Sequence, residues 1–394
     1  MAETVEEAIR AEVAALAPDF VTMRHVLHQN PELSDREEGT AKLVAESLRA
    51  AGIDNVRTGI GGHGVFATLV GNEAGPTIAL RADMDALPIQ ETSDLPYRSC
   101  VPGVMHACGH DGHTATLLGA AATLSRLRDR LPGSVRFIFQ PAEETVGGAL
   151  RMCRDGAMEG VDAIVALHGW PGMPVGQIGV RPGPMMASSD TFDVVVKGKG
   201  AHAAYPHMSV DPILISAQLI LALQSIVSRG ISPTDSVVVT VAQMHAGTAY
   251  NIIPGEAIIK GTVRCLSPAI QDTMPDRLDR IAAGVCSAGG ASYEFQYTRG
   301  TPVTVNDFAV NELISEVGAA VLGSDNVVQL EAPSMGAEDF AMYLKHAPGA
   351  MFRLGVGEQM TALHTPTYNF ADGSVAKGME LFARVAHSYL KTAR

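Results

Sequence analysis

The sequence predicts an α/β protein: a mixed, largely parallel sheet domain into which a ferredoxin-like βαββαβ unit is inserted. Three observations carry that expectation. Helical and strand patterns alternate to about residue 185, as they do when crossover helices link parallel strands. Pro182-Gly183-Pro184 then punctuates the chain, and from 187 to 300 the order becomes strand, helix, strand, strand, helix, strand. Residues 301–394 return to mixed α/β. The expected organisation is therefore one discontinuous domain, 1–186 and 301–394, with a second domain at 187–300.

In the first stretch, apolar runs predict strands at 64–70, 77–82, 134–140 and 162–167. A helix is expected over 111–130, where Leu117, Leu118, Ala121, Leu124 and Leu127 recur at helical spacing, and a shorter one near 147–155. The inserted unit reads as strand 191–197, helix 210–229, strands 236–244 and 256–266, helix 270–287 and strand 291–298. Ile270, Met274, Leu278, Ile281 and Val285 mark one face of the second helix despite Pro275. Near the end, residues 354–364 read as a strand and loop.

A chain of 394 residues, 46% hydrophobic and 18% charged, can bury a sizeable core and has no low-complexity tract. Its net charge of -13 disfavours nucleic acid and anionic membrane surfaces, leaving small molecules as the expected partners. Residues 1–20 include Glu3, Glu6, Glu7 and Glu12 without an apolar signal core, and no run of about 18 apolar residues is read as a bilayer span. The five cysteines, an odd number at irregular spacing, do not form a disulfide pattern. The expected location is cytoplasmic.

Glu143-Glu144 closes the apolar run 135–139, and adjacent carboxylates at a strand end suit a hydrolytic metal site: one can hold an ion while its neighbour moves a proton. Residues 106–113 pack three histidines, one cysteine and one aspartate just before a predicted helix. Gly109 lets the loop turn both Cys108 and His110 toward one ion. His168 follows another apolar run, and ligands in open α/β sheets gather at the carboxyl ends of strands. Asp83 and Asp85 sit at a third strand end, where either a turn role or orientation of a ligand histidine is compatible with the local sequence. His364 is a candidate from the last part of the chain. In the inserted unit, His202, Asn251 and Arg264 are polar candidates, Arg264 lying on the less apolar face of its strand, where it is either a solvated arginine or a clamp for a carboxylate.

Taken with Leu27-His28-Gln29-Asn30-Pro31-Glu32-Leu33, residues 81–88, 140–144, 167–169, 200–207, 249–255 and 334–340, these motifs resemble, in order, the metal-dependent amidohydrolases that include hippurate hydrolase, auxin-conjugate hydrolases and other N-acyl-amino-acid deacylases, within the wider aminoacylase and carboxypeptidase family. The resemblance implies a catalytic domain holding two divalent ions and a smaller lid domain that also makes a homodimer. It implies Cys108, His110, Glu144, His168 and His364 as metal ligands and Glu143 as the general base that carries a proton to the leaving amine. Asp85 is given a supporting catalytic role without a metal bond. His202, acting across a dimer interface, Asn251 and Arg264 would stabilise the developing oxyanion or grip the substrate carboxylate. One departure from the wider family is that Asp83 stands where a histidine opens the His-x-Asp motif, and Cys108 stands where an aspartate bridges the metals; the hippurate-hydrolase-like subgroup shares this change.

The expected reaction is hydrolysis of an N-acyl amino acid to a carboxylate and a free amino acid. The rivals are a metallo-dipeptidase or carboxypeptidase, a cysteine hydrolase using Cys108, and a non-catalytic protein that captures amino-acid derivatives. The donor set suits zinc, manganese, cobalt or nickel.

Overall fold

Thr4 opens the first helix, Val5–Gln29, through a capping box with Glu7, and Glu38–Ala50 follows as a second helix. Neither is among the elements read from the sequence. Both are amphipathic, burying Ile9, Val13 and Leu16 in the first and Val44 and Leu48 in the second. The computed structural model describes residues 3–145 and 147–393. Two compact units result: Met1–Gly183 with Val305–Ala332 and Asp339–Arg394, and Pro184–Thr304 with Pro333–Glu338.

The first unit is built on an eight-stranded sheet in the order Val56–Ile60, Gly64–Val70, Ser134–Gln140, Thr77–Asp83, Ala163–Trp170, Gly349–Gly355, Ile178–Val180, Val327–Gln329. Its middle four strands run parallel, and antiparallel pairs flank them, so the sheet is mixed and largely parallel at its centre. The central strands are buried on both faces, which is why they read as continuous apolar runs rather than alternating ones. Helices His110–Arg126 and Asp372–Thr392 contribute Leu117, Leu124, Val375, Leu381 and Val385 to the core with Val5–Gln29.

Several boundaries differ from expectation. The helix predicted over 111–130 ends at Arg126 and gives way to a tighter single turn, Arg128–Arg130. The last strand is Gly349–Gly355 rather than a strand begun at 354, because Arg353 interrupts the apolar run Ala350-Met351-Phe352 in the sequence but lies on the opposite face from the core. Short strands such as Val56–Ile60, with its exposed middle, carry too little apolar pattern to be read.

In the second unit, four antiparallel strands lie in the order Val237–Ala246, Glu256–Cys265, Ser189–Lys197, Ser292–Thr301. Helices Pro212–Gly230 and Pro268–Ala288, capped by Asp211 and Ser267, pack on the sheet through Ile215, Leu219, Leu223, Met274, Leu278 and Ala282. Pro212–Gly230, with 19 residues and a mean hydropathy of 1.5, is long and apolar enough by length and composition to cross a bilayer, although Ser216, Gln218, Gln224, Ser225, Ser228 and Arg229 break it into short apolar runs. It is one covering helix of this sheet, with Ile215, Leu219, Leu223 and Ile226 buried at spacings of four, four and three residues.

Candidate active site

Three parallel strands deliver their ends to one place. Asp83 ends Thr77–Asp83 and Asp85 follows it, Gln140 ends the neighbouring strand three residues before Glu143, and His168 lies near the end of Ala163–Trp170. The helix beginning at His110 starts from Gly109 at φ 91°, a conformation that strains any residue with a Cβ. A Cβ at Gly109 would also lie 2.7 Å from the Tyr368 hydroxyl, so the tight turn that brings Cys108 and His110 together requires glycine.

Donor atoms of Cys108, His110 and His168 lie within 4.8 Å of one another, as do those of Cys108, Glu144 and His364, and those of His110, Glu143 and Glu144. The Cys108 Sγ is 3.5 Å from His168 Nε2, and His364 Nε2 is 3.3 Å from Glu144 Oε1. His168 donates from Nδ1 to the Gly169 carbonyl at 2.9 Å, which leaves the lone pair on Nε2 facing the thiol. His110 likewise donates from Nδ1 to the Asp85 carbonyl at 2.9 Å. Its Nε2 is buried without a hydrogen-bond partner, 3.6 Å from Asp83 Oδ2 and 4.0 Å from Glu144 Oε1. Buried polar atoms are rarely left so, and two imidazole lone pairs, a thiol and a carboxylate converging in this way are the donor set of a first-row divalent metal. These residues fit an ion.

The electrostatics agree. Burial, with the Glu144, Glu143 and Asp83 charges, pushes the Cys108 thiol up, a situation that a cation reverses. Burial and His113 push His168 down and keep it neutral. For His110, burial favours the neutral ring, but Asp83, Asp85 and Glu144 outweigh it and raise the group to about 10. An imidazolium therefore balances the acidic cluster when no metal does, and metal binding displaces its proton.

Asp85 accepts from Ser34 at 2.7 Å and from the Glu144 backbone N–H at 3.0 Å, while its other oxygen is 3.2 Å from His110 Nδ1. One carboxylate thus orients two candidate ligands. Asp83 accepts from Arg81 at 2.6 Å and from His113 Nδ1 at 2.7 Å. His113 accepts the Gly169 N–H on Nε2 at 2.7 Å, so both its nitrogens are committed and it cannot bind an ion without losing one bond. The proximity of Asp83, His110 and His113 is therefore the geometry of a strut rather than a second ligand set. Arg81 and His113 carried no role in the sequence reading. The signal was present in Arg81 and Asp83, two apart on one strand and so on one face.

Residues 79–388 match the peptidase family M20/M25/M40. The chain belongs to that family. Among M20 relatives, it is 42% identical over 95% of its length to N-acetylcysteine deacetylase of Bacillus subtilis, covering 97% of that protein. To hippurate hydrolase of Campylobacter jejuni it is 39% identical, with 96% and 99% of the two chains covered. A crystal structure of a Bacillus subtilis protein described as a dinuclear metal binding M20 peptidase superposes with a TM-score of 0.86 at 38% identity, over 96% of this chain and 99% of that one.

The other three candidates of this M20 chain belong to the second unit. His202 pairs with Ile252 in a two-residue ladder, and the Asn251 carbonyl accepts the Ala203 N–H at 2.9 Å, which keeps these two segments side by side. Arg264 is half-buried on Glu256–Cys265, opposite the core-facing Val263 and Cys265. Burial lowers its pKa against the attraction of the Asp190 charge, and among the described residues its guanidinium makes no hydrogen bond or salt bridge.

Proposed function

We propose that the chain hydrolyses the amide bond of N-acyl amino acids, with Cys108, His110, Glu144, His168 and His364 holding two divalent ions. The observation that carries this reading is the convergence of those donors beside Glu143, whose carboxylate lies within 4.8 Å of His110 and Glu144 donor atoms. Relatives named for deacetylation of N-acetylcysteine and for hippurate hydrolysis support the substrate class. Bound there, the ions would act as Lewis acids on the amide carbonyl and the attacking water.

The protein's own groups supply the remaining steps. Glu143 takes a proton as water adds to the acyl carbon and returns it to the nitrogen as the C–N bond breaks, giving a carboxylate and a free amine. Asp85 holds the His110 ring and the Glu144 backbone in place throughout. Arg264 and Asn251 grip the free carboxylate, which the unpaired, desolvated guanidinium supports, and His202 stabilises the oxyanion.

In the same reading, residues 1–186 and 301–394 are the catalytic domain and 187–300 is a ferredoxin-like lid that also forms a homodimer. The strand order of the second unit supports the first point. Its exposed Leu214 and Leu221 and its edge strand Val237–Ala246 support the second.

Glu143→Gln keeps the shape but removes the base. Turnover of N-acetyl and N-benzoyl amino acids is expected to fall by roughly 100-fold to 10,000-fold while metal content stays near wild type. Wild-type activity in this variant refutes the assignment of the base. Thorough chelation is expected to abolish activity and metal addition to restore it, whereas a cysteine hydrolase would survive chelation. A screen that also includes dipeptides separates a deacylase from a dipeptidase.

A further inference from the structure

One motif plays no part in the proposed chemistry: the segment around Leu27-His28-Gln29-Asn30-Pro31-Glu32-Leu33, on the first helix and just past it. One helical turn before His28, Arg24 is fully buried in the first unit. Its Nε donates to Asp111 at 2.8 Å, its Nη1 to Asp372 at 2.8 Å and to the Tyr97 hydroxyl at 3.2 Å, and its Nη2 to Asn369. His28 reaches the same Asp111 oxygen from Nδ1 at 2.9 Å and Glu91 from Nε2 at 3.2 Å.

Three of these partners lie on two segments that carry candidate ligands. Asp111 is the residue after His110 on the helix that begins there. Asn369 and Asp372 end the loop that contains His364 and begin the last helix. That loop is also held by the His364 N–H to the Ala107 carbonyl at 2.8 Å, by the Pro366 carbonyl from Thr92 N–H at 2.9 Å, and by the buried rings of Tyr368 and Phe370. His364 itself sits at φ 62°, a left-handed conformation that a β-carbon disfavours and that surrounding structure must impose. A guanidinium fork is rigid, so Arg24 adds a polar clamp of fixed geometry between the His110 helix and the far end of the His364 loop, beside the packing of Phe370 on Gly112.

The geometry points to Arg24 as a positioning residue for the metal centre: by clamping Asp111 to Asn369 and Asp372, it holds the His110-bearing and His364-bearing segments at the separation that their shared ions require. This rests on the metal-ligand reading given above. A buried arginine with carboxylates on two segments gains little net stability over an apolar replacement, so its value lies in fixing geometry. The clamp touches neither substrate nor metal and acts through the backbone of the two segments.

The test is cobalt binding by the full-length, metal-stripped protein, read from the visible and thiolate charge-transfer absorption, alongside thermal unfolding of the same samples. Three variants are compared: Arg24→Lys, which keeps the charge and loses the fork; Asp372→Asn, whose side chain is 40% exposed and so is a mild change to folding; and Leu48→Ala, a core truncation in Glu38–Ala50 that touches neither clamp nor ligands. Arg24→Lys and Asp372→Asn are expected to weaken cobalt binding by roughly tenfold to hundredfold and to alter the ligand-field bands. Leu48→Ala is expected to lower the unfolding temperature while leaving affinity and spectrum as in wild type. Wild-type affinity and spectrum in Asp372→Asn, or an equal loss of affinity in Leu48→Ala, overturns the inference. Failure of the wild-type protein itself to bind cobalt overturns the metal reading, and is distinguished by appearing in every sample.

Discussion

At the scale of single residues, the side chains proposed to carry the chemistry were the legible part of this chain, and their supports were not. Cys108, His110, Glu144 and His168 announce themselves by residue type and by position after apolar runs, and the folded chain brings their donors together. Asp83 showed its acid but not its task, because its partners Arg81 and His113 acquire meaning only when three strand ends meet. His28 is a similar case and has a measurable consequence. Burial alone would lower its pKa, but Asp111 and Glu91 outweigh that and raise it to about 9. A folded-state pKa above the unfolded value of about 6.5 means that the folded state holds the proton more tightly. The resulting stabilisation is complete below about pH 6.5 and disappears as pH rises through about 9, an effect of about 3 kcal/mol at most. Urea titrations of the metal-stripped protein at intervals from pH 6 to 10 should therefore show wild type losing stability that His28→Gln does not lose. Parallel pH profiles for the two proteins would refute a charged His28.

At the scale of elements, period decided what could be read. The buried parallel strands and the two long helices of the second unit have strong patterns and fall within a few residues of expectation. Val56–Ile60 and Val327–Gln329 are the short edges of the sheet and Ile178–Val180 a three-residue strand inside one of them, and the pairing of all three is set by neighbours rather than by their own pattern. The helix His110–Arg126 was readable as a helix, but its close approach to the segment ahead of the last helix was not. A Cβ on Gly112 would lie 2.4 Å from the ring of Phe370, which is fully buried and cannot swing away. Exchanging glycine for alanine inside a helix ordinarily gains about 1 kcal/mol. Here overpacking against a rigid ring, typically about 1–3 kcal/mol, opposes that gain. Gly112→Ala is expected to be destabilising by about 1 kcal/mol net, measured as a lower urea midpoint at unchanged slope, and because the helix starts at His110 it should weaken metal retention as well. A higher midpoint would mean that Phe370 yields, and that the glycine is not required by packing.

At the scale of the whole molecule, the sequence predicted a split into two folding units from the change in element order near residue 185, and the first compact segment ends at Gly183. It missed that Pro333–Glu338 returns to the second unit, because six residues far along the chain carry no periodic signal of membership. The apolar composition of Pro212–Gly230 bears on the proposed dimer. A helix covering a four-stranded sheet needs one apolar stripe, yet this one also exposes Ile213, Leu214 and Leu221, the last at 75%. Beside it, Val237–Ala246 is an edge strand whose second half is exposed and carries no Lys, Arg or Pro to block further pairing. Exposed leucines on a helix and an open edge in the same unit are the two features that a symmetric partner would cover, since an isologous contact repeats both. A stable dimer buries about 800 Å² on each partner, which a helix of 19 residues and an adjoining strand of 10 can supply together. Leu221→Glu places a charge on that surface without touching the core residues Leu219 and Leu223. Sedimentation at micromolar concentration is expected to give a dimer for wild type and a monomer for Leu221→Glu, with far-ultraviolet circular dichroism unchanged. A dimer of unaltered affinity in the variant would remove this helix from the interface, and a monomeric wild type would remove the dimer itself.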